Sequence, residues 1–504
     1  MIDPLWILAA GMVVVVGGIL WLRLHAFLAL LLGTLVVGVL TPKPALEAHA
    51  ISKGRTEQQA RTDAEASVGS RIAKEFGGTV TGIGILIAMA AIIGKCLLDS
   101  GAADRIVRSA LKCLGERRAP AGFLGSGFML GIPVFADTVF YLLIPLAKAM
   151  AARLQRNYPL LILSTIAGTT MAHSLVPPTP GPLLVASRLG VEVGHMILAG
   201  LVIGLVAMLS GFAYACWANR RWPIPLREST DVSLESLRVQ AERSDRELPP
   251  LWLAWLPVLL PLVLISGDSV LSGLFVASDQ SGAFVLVLGF FRWFGDKNIA
   301  LMLAAAIALL TLGWQQRKDA KQLSAAVQAA LASGGVIILI TSAGGAFGGL
   351  LQQTGIGGRI EELAAAFNIG ALPLAFLVTA LIRTAQGSAT VAMITAVGVL
   401  EGFSDPAQLG FHPVYLAAAI GCGSKLVPWM NDSGFWIIGR MSGFTEAETF
   451  KTFSVMLTIM CIRDRHRTAG DHAPGQTVSA GVTFYRLARK RLGRQGPPHT
   501  ANHL

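Results

Sequence analysis

Charge is what this sequence has least of. Of its 504 residues only 14% are Asp, Glu, Lys or Arg, against roughly 25% in ordinary soluble chains. That shortage excludes a cytosolic enzyme, a nucleic-acid binder and a disordered protein together. Acids are scarcest of all, and Asp137 stands alone between Glu116 and Glu192. Five cysteines (Cys96, Cys113, Cys216, Cys422, Cys461) show no CxxC spacing, so neither a disulfide framework nor a bound metal is expected. HExxH, GxSxG and paired-His spacings are missing as well, which speaks against hydrolytic chemistry. The first apolar run has no basic n-region, carries Asp3, and passes Leu20 without an A-x-A site, so it does not read as a signal peptide.

What is present is apolar surface: 53% hydrophobic residues and a mean hydropathy of +0.60. Together with 55 glycines, which let membrane helices pack closely or break, this describes a polytopic helical membrane protein. The net charge of +11 is no nucleic-acid signal. Residues 461–504 hold eight Arg/Lys and two Asp, six of those eleven charges. The rest is the cytoplasmic excess of Lys and Arg.

A helix needs about 20 residues to cross the hydrocarbon core. Residues 4–22 and 24–40 read as two helices hinged at Arg23, followed by spans at 77–98, 158–174, 192–217, 250–267, 298–314, 334–352, 411–427 and a weak 445–460. Basic residues gather at 99–118, 148–156, 218–249 and 315–321, whereas 268–281 and 401–412 have none. The first group is expected inside and the second outside, with the N-terminus outside and 282–293 either in the interface or packed without crossing. Segment 120–150 leaves and re-enters the same side. Each arm, 120–132 and 139–150, reaches about 20 Å at 1.5 Å per residue, short of the roughly 30 Å core. It therefore reads as a re-entrant hairpin whose tip spans 131–138.

The chain repeats at an offset of about 250 residues. Gly101–Ile106 corresponds to 355–360, and Leu175-Val176-Pro177 to Leu426-Val427-Pro428. The stripe Val68, Ile72, Phe76 corresponds to Leu323, Val327, Leu331. Hairpin 120–150 then maps onto 371–403, with a second tip at 383–390. Since 77–98 runs inward and 334–352 outward, the repeats are inverted, the arrangement that places a site at mid-membrane. After each hairpin a long apolar helix is broken, first at His173–Pro182 and then at Lys425–Gly434. The expected fold is thus an all-α polytopic membrane protein with two inverted repeats, each holding a re-entrant hairpin and a discontinuous transmembrane helix. Residues 1–76 form N-terminal helices and an amphipathic connector. Residues 77–217 are the first transport repeat, with hairpin 120–150 and broken helix 158–190. A cytoplasmic loop and linking helices occupy 218–333, and 334–460 is the second repeat, with hairpin 371–403 and broken helix 411–441. The apolar run stops at Met460, before Arg463, Arg465 and Arg467, so 461–504 reads as a basic polar tail, an anomalous frameshifted or chimeric end.

A charge at a membrane-helix centre costs about 2.5–3.5 kcal/mol, so each needs a reason. Asp137 reads as a proton-coupling acid, or as a hairpin-tip cap. Asp432 reads as a second coupling or ligand-binding acid, or as the N-cap of a half-helix at 434–441. His173 can titrate near neutral pH or sit hydrogen-bonded in the core. Arg383 is the candidate grip for an anion, since guanidinium meets carboxylate through two hydrogen bonds; the alternative is a structural partner for Asp137 or Asp432. Lys425 is a second candidate cation. Gln386, Gly387, Ser388, Thr390, Thr179, Asn431 and Ser433 complete the expected substrate site, or else serve close helix packing.

Four stretches carry a family resemblance: GIPVFADTVFYLLIP from Gly131, AHSLVPPTPGP from Ala172, AQGSATVA from Ala385 and WMNDSGFW from Trp429. On these, over roughly residues 4–460, the chain resembles the gluconate/proton symporter (gluconate permease) family of the ion transporter superfamily. The resemblance implies uptake of gluconate or a related small carboxylate with a proton through the bacterial inner membrane, with no cofactor. D-serine, which some members carry, Na⁺ as the coupling ion, and homodimer formation stay open. Many members have a second aromatic and a Glu where this chain has Ala136 and Asp137. The expected partners are a small anion and the lipid bilayer, with no nucleic acid. Rival readings are an intramembrane enzyme using His173 with an acid, and a passive channel.

Overall fold

Long runs of Leu, Val and Ala leave the backbone no hydrogen-bond partner in lipid but itself, so they fold as helices. The computed structural model describes residues 3–227, 247–274, 282–317, 319–359, 362, 370–403, 409–430 and 432–470, and every regular element among them is helical. The first four helices are α1 (Pro4–Leu20), α2 (Ala26–Leu40), α3 (Lys43–Ser52) and α4 (Glu57–Ala64). Arg23 between α1 and α2 has φ +51°, the expected hinge. The long α5 (Val68–Asp99) leads to the amphipathic α6 (Ala102–Leu114). The first hairpin is α7 (Ala119–Leu130) and α8 (Ala136–Leu154), and the first broken helix is α9 (Tyr158–Leu175) and α10 (Pro180–Arg188). Then follow α11 (Val193–Arg221), α12 (Leu251–Leu274), α13 (Gly282–Phe294), α14 (Lys297–Gln316) and the long α15 (Ala320–Gln352). The second hairpin is α16 (Ala371–Gln386) and α17 (Ala389–Leu400), and the second broken helix is α18 (Val414–Gly423) and α19 (Ser433–Ser442). The last elements are α20 (Glu446–Thr449), a π-turn at Phe450–Ser454, and α21 (Val455–Gly470).

Among the described residues six helices are long and apolar enough to cross a bilayer, counting Tyr158–Arg188 as one, and seven with the bent pair α2–α3. The four hairpin arms have 12, 19, 16 and 12 residues, all shorter than the roughly 30 Å core.

Three features differ from the sequence reading. The amphipathic stretches at 68–76 and 323–331 are not separate connectors but the first turns of α5 and α15. Arg71, buried in the first turn of α5, donates to Gly38 O (2.8 Å) and Gln353 Oε1 (2.9 Å). The second tip shrinks to Gly387 and Ser388, so Arg383 is helical rather than in a loop. The last helix does not stop at Met460 but runs on to Gly470, and 471–504 lies outside the described residues.

The two halves pack reciprocally. The entering arm α7 lies on α9 as α16 lies on α18. Each half then reaches into the other: α10 packs on α17, and α19 on α8. The helices ahead follow the same exchange, since α2 packs on α15 and α14 on α5, while α5 and α15 pack on each other. The close approaches repeat too. A Cβ on Gly168 would lie 2.1 Å from Leu124 O, and one on Gly423 would lie 2.5 Å from Phe376 O. Glycine is thus what seats each hairpin on its broken helix. Two inverted repeats exchange half-helices around one centre.

Candidate substrate site

The helix breaks meet at that centre. The breaks, 176–179 and 424–432, follow from the sequence, because Pro177, Pro178 and Pro180 remove donors after α9, and Pro428 does so after α18. Val427, in the second break, has φ +40°, a left-handed conformation that is costly for a β-branched residue.

A cavity of about 220 Å³ opens where the breaks converge. The first hairpin contributes Phe135, Ala136, Asp137 and Phe140, and the second contributes Gly387, Ser388, Ala389 and Thr390. Thr170 and His173 face it from α9, and Lys425, Asp432 and Gly434 from the second broken helix. Ile337, Phe453 and Leu457 close it with apolar surface. The volume is below the roughly 300–1,000 Å³ of drug-sized pockets, a size that suits a small solute.

Three helices, α8, α17 and α19, begin at this cavity with their first turns in its lining. Helix N-termini carry partial positive charge and free N–H groups, so their convergence favours an anion. Two of them are closed by side chains: Ser388 accepts from Val391 N (3.3 Å), and Asp432 accepts from the N–H groups of Gly434 and Phe435.

The four charged residues take different positions. Arg383 is 1% exposed and does not line the cavity. Its guanidinium donates to Ser424 O (2.9 Å), to Gly387 O and to the Asp432 carboxylate. It therefore ties the second hairpin to the second broken helix. Asp432 touches the cavity but is held by Arg383 and by its own cap. Both residues adopt the structural alternative that their sequence positions allowed. Lys425, 8% exposed, faces the cavity, as does Asp137 in the first turn of α8. Neither has an ion-pair or hydrogen-bond partner among the described residues. His173 presents a buried Nδ1 that is likewise unpartnered there.

Of the polar candidates, Gly387, Ser388 and Thr390 line the cavity. Thr179 does not; it is buried and donates to Val176 O (2.8 Å), shaping the first break. Gln386 ends α16 and Ser433 opens α19, with their side chains outside the described set, and Asn431 lies outside the described residues. Sequence reasoning missed Thr170 and the apolar walls Phe135, Phe140, Ile337, Phe453 and Leu457. Thr170 lies one turn before His173, a spacing that could have flagged it. The apolar walls carry no signal against an apolar background.

Comparison with known proteins agrees with this architecture. The family of GntP family permeases matches residues 63–466, extending past Met460 into α21. A gluconate permease from Pseudomonas aeruginosa is 34% identical over 77% of this chain and 84% of its own length. A gluconate permease from Zymomonas mobilis is 30% identical over 90% and 94%, and a low-affinity gluconate transporter from Escherichia coli 30% over 87% and 91%. The solved YdaH transporter of Alcanivorax borkumensis, described as having an unusual topology, shares the fold at a TM-score of 0.55, covering 82% of this chain and 88% of that one at 15% identity. An all-helical multi-pass protein with hairpin tips and half-helices gathered on a small polar cavity, and with this extent of likeness, belongs to the GntP permease family.

Proposed function

We propose that the protein is a proton-coupled symporter carrying gluconate, or a related small hydroxylated monocarboxylate, through the bacterial inner membrane into the cell. One observation carries this reading: Lys425 and Asp137 share one small cavity, each without a fixed partner among the described residues. The Arg383–Asp432 ion pair stands beside them and is neutral as a unit.

The coupling follows from counting charge. The empty cavity holds Lys425 as a cation and Asp137 as an anion, so it is neutral. The substrate carboxylate alone makes it −1, and a proton alone makes it +1. Both together restore neutrality: the carboxylate meets Lys425 and the proton meets Asp137. An uncompensated charge inside a bilayer costs about 2.5–3.5 kcal/mol on the insertion scale. The empty and doubly loaded forms are therefore the ones that pass through the closed, water-free intermediate, which is the condition for obligatory symport. Ser388, Thr390, Thr170 and His173 supply hydrogen bonds to the hydroxyls, and α8, α17 and α19 add their N-terminal dipoles.

A zwitterion such as D-serine fits the same cavity differently. Its carboxylate meets Lys425 and its ammonium meets Asp137, so it needs no proton. Uptake into proteoliposomes of a panel of sugar acids and D-serine, with and without an uncoupler, decides between the two. Gluconate accumulation that collapses with the uncoupler supports the proposal. Uncoupler-resistant D-serine uptake without gluconate uptake replaces it with the alternative, and a chemically altered substrate would point to an enzyme.

A further inference from the structure

We propose that Arg188 with Glu401 and Glu75 forms the outer gate of this transporter, and that Lys148, Tyr158 and Arg227, closed on the end of α19, form its inner gate. The proposal rests on the permease reading but not on the identity of the substrate.

The reciprocal packing defines two helix pairs with the same design. Helices α8 and α19 both begin at the cavity, pack on each other, and run to the face that the basic loops mark as cytoplasmic. Helices α10 and α17 begin at the first break and the second tip, pack on each other, and run to the opposite face. On this proposal the exits of the cavity lie between these ends, and at both ends charged side chains bridge the pair.

At the inner end, three consecutive carbonyls of the α19 terminus are each taken by a donor from elsewhere. Lys148 of α8 donates to Met441 O (3.2 Å), Tyr158 OH to Ser442 O, and Arg227 to Gly443 O (3.3 Å). Arg227 also grips Glu448 through both nitrogens, at 2.7 and 3.0 Å. Donors placed on the last carbonyls satisfy them and favour the negative end of the helix dipole. Release of Lys148 unties α19 from α8, and release of Tyr158 and Arg227 unties it from α9 and from the segment after α11.

At the outer end, Arg188 is the last residue of α10 and Glu401 follows directly after α17. Arg188 Nη1 stands 3.5 Å from Glu401 and 3.6 Å from Glu75 of α5, while Nη2 donates to Thr79 Oγ1 (3.1 Å) and Gly345 O (2.6 Å). One guanidinium thus joins four elements across the seam between the repeats. Above it lies a vestibule of about 660 Å³, rimmed by His49, Lys53, Gln352 and His412. Both carboxylate distances exceed an ordinary hydrogen bond, whereas the bonds to Thr79 and Gly345 are direct, so opening requires Arg188 to give up all four contacts together.

The test reads which side the cavity faces. Thr390→Cys places a thiol in the lining, and a membrane-impermeant maleimide is applied to right-side-out and to inside-out vesicles, with labelling of the chain lacking that cysteine subtracted. Arg188→Gln should raise labelling from outside about fivefold, and Glu448→Gln should raise labelling from inside by a similar factor, the size of a modest coupling between states. Arg188→Lys should restore most of the outside protection. Where Arg188→Gln lowers the amount of folded protein, Glu401→Gln removes one partner and should act in the same direction. Unchanged labelling in both variants, or a shift toward the same side, overturns the proposal. No substrate is needed, so failure here leaves the charge-balanced cavity standing, and failure of gluconate uptake leaves the gates standing.

Discussion

Lys425 and Asp137 are treated differently from Arg383 and Asp432 by the same few helices, and that difference underlies the roles proposed for them. Asp137→Asn fixes one charge state: the cavity is then +1 when empty and neutral with substrate. Uphill accumulation should be lost while counterflow of labelled gluconate survives, because only the loaded form crosses; normal accumulation by the variant would remove Asp137 from the coupling role. Lys425→Met deletes the cation proposed to meet the carboxylate. A charge-assisted hydrogen bond is worth about 1.5–3 kcal/mol, so half-saturation for gluconate should rise about tenfold or more with the thermal midpoint little changed. Arg383→Met should do the reverse of that split. It leaves Asp432, partly exposed and still capping α19, without its ion-pair partner, a loss at the lower end of the about 3–5 kcal/mol of a buried pair, and it should appear first as a lowered unfolding midpoint in detergent. The sequence showed which positions carry intramembrane charge, since each stands out against apolar neighbours. It could not show that Arg383 and Asp432, 49 residues apart, point at each other, because pairing across a fold is set by packing and not by spacing.

At the scale of elements, the hairpins were legible because length is a hard constraint: an arm of 12 residues cannot span the core. The broken helices were legible through their prolines. The continuity of α5 was not, since Arg71 and Glu75 look like a helix boundary until Gly38, Gln353 and Arg188 are seen to receive them. Two predictions belong here. Gly168→Val should unseat α7 from α9, because even a single Cβ would meet Leu124 O at 2.1 Å. Reduced membrane yield is expected, while Gly69→Val, where nothing lies within 4 Å, should be tolerated. The second concerns the inner clasp. Hydrogen bonding from Arg227 holds the Glu448 carboxyl below its usual range. A depressed folded-state value means the contribution is complete above the unfolded value and is lost as pH falls through the folded one. Acidifying the cytoplasmic face below the ordinary carboxylate range should therefore loosen the clasp and raise inside labelling of a cavity thiol. Labelling that is flat with pH would contradict that role for Glu448.

For the molecule as a whole, the repeat was legible because short motifs recurred at one offset, and loop charge gave the halves opposite directions. What the sequence did not reveal is the exchange, in which each half supplies the half-helix that pairs with the other half's hairpin. That exchange puts Asp137 from one repeat and Lys425 from the other into one cavity, and it makes the charge balance of that cavity a property of neither repeat alone. The balance is tested most directly in proteoliposomes with the pH gradient and membrane potential set independently. Gluconate should accumulate in response to a pH gradient at zero potential, one proton entering with each anion, and should not respond to a potential imposed at equal pH. Accumulation driven by potential alone, with no pH gradient, would contradict the account.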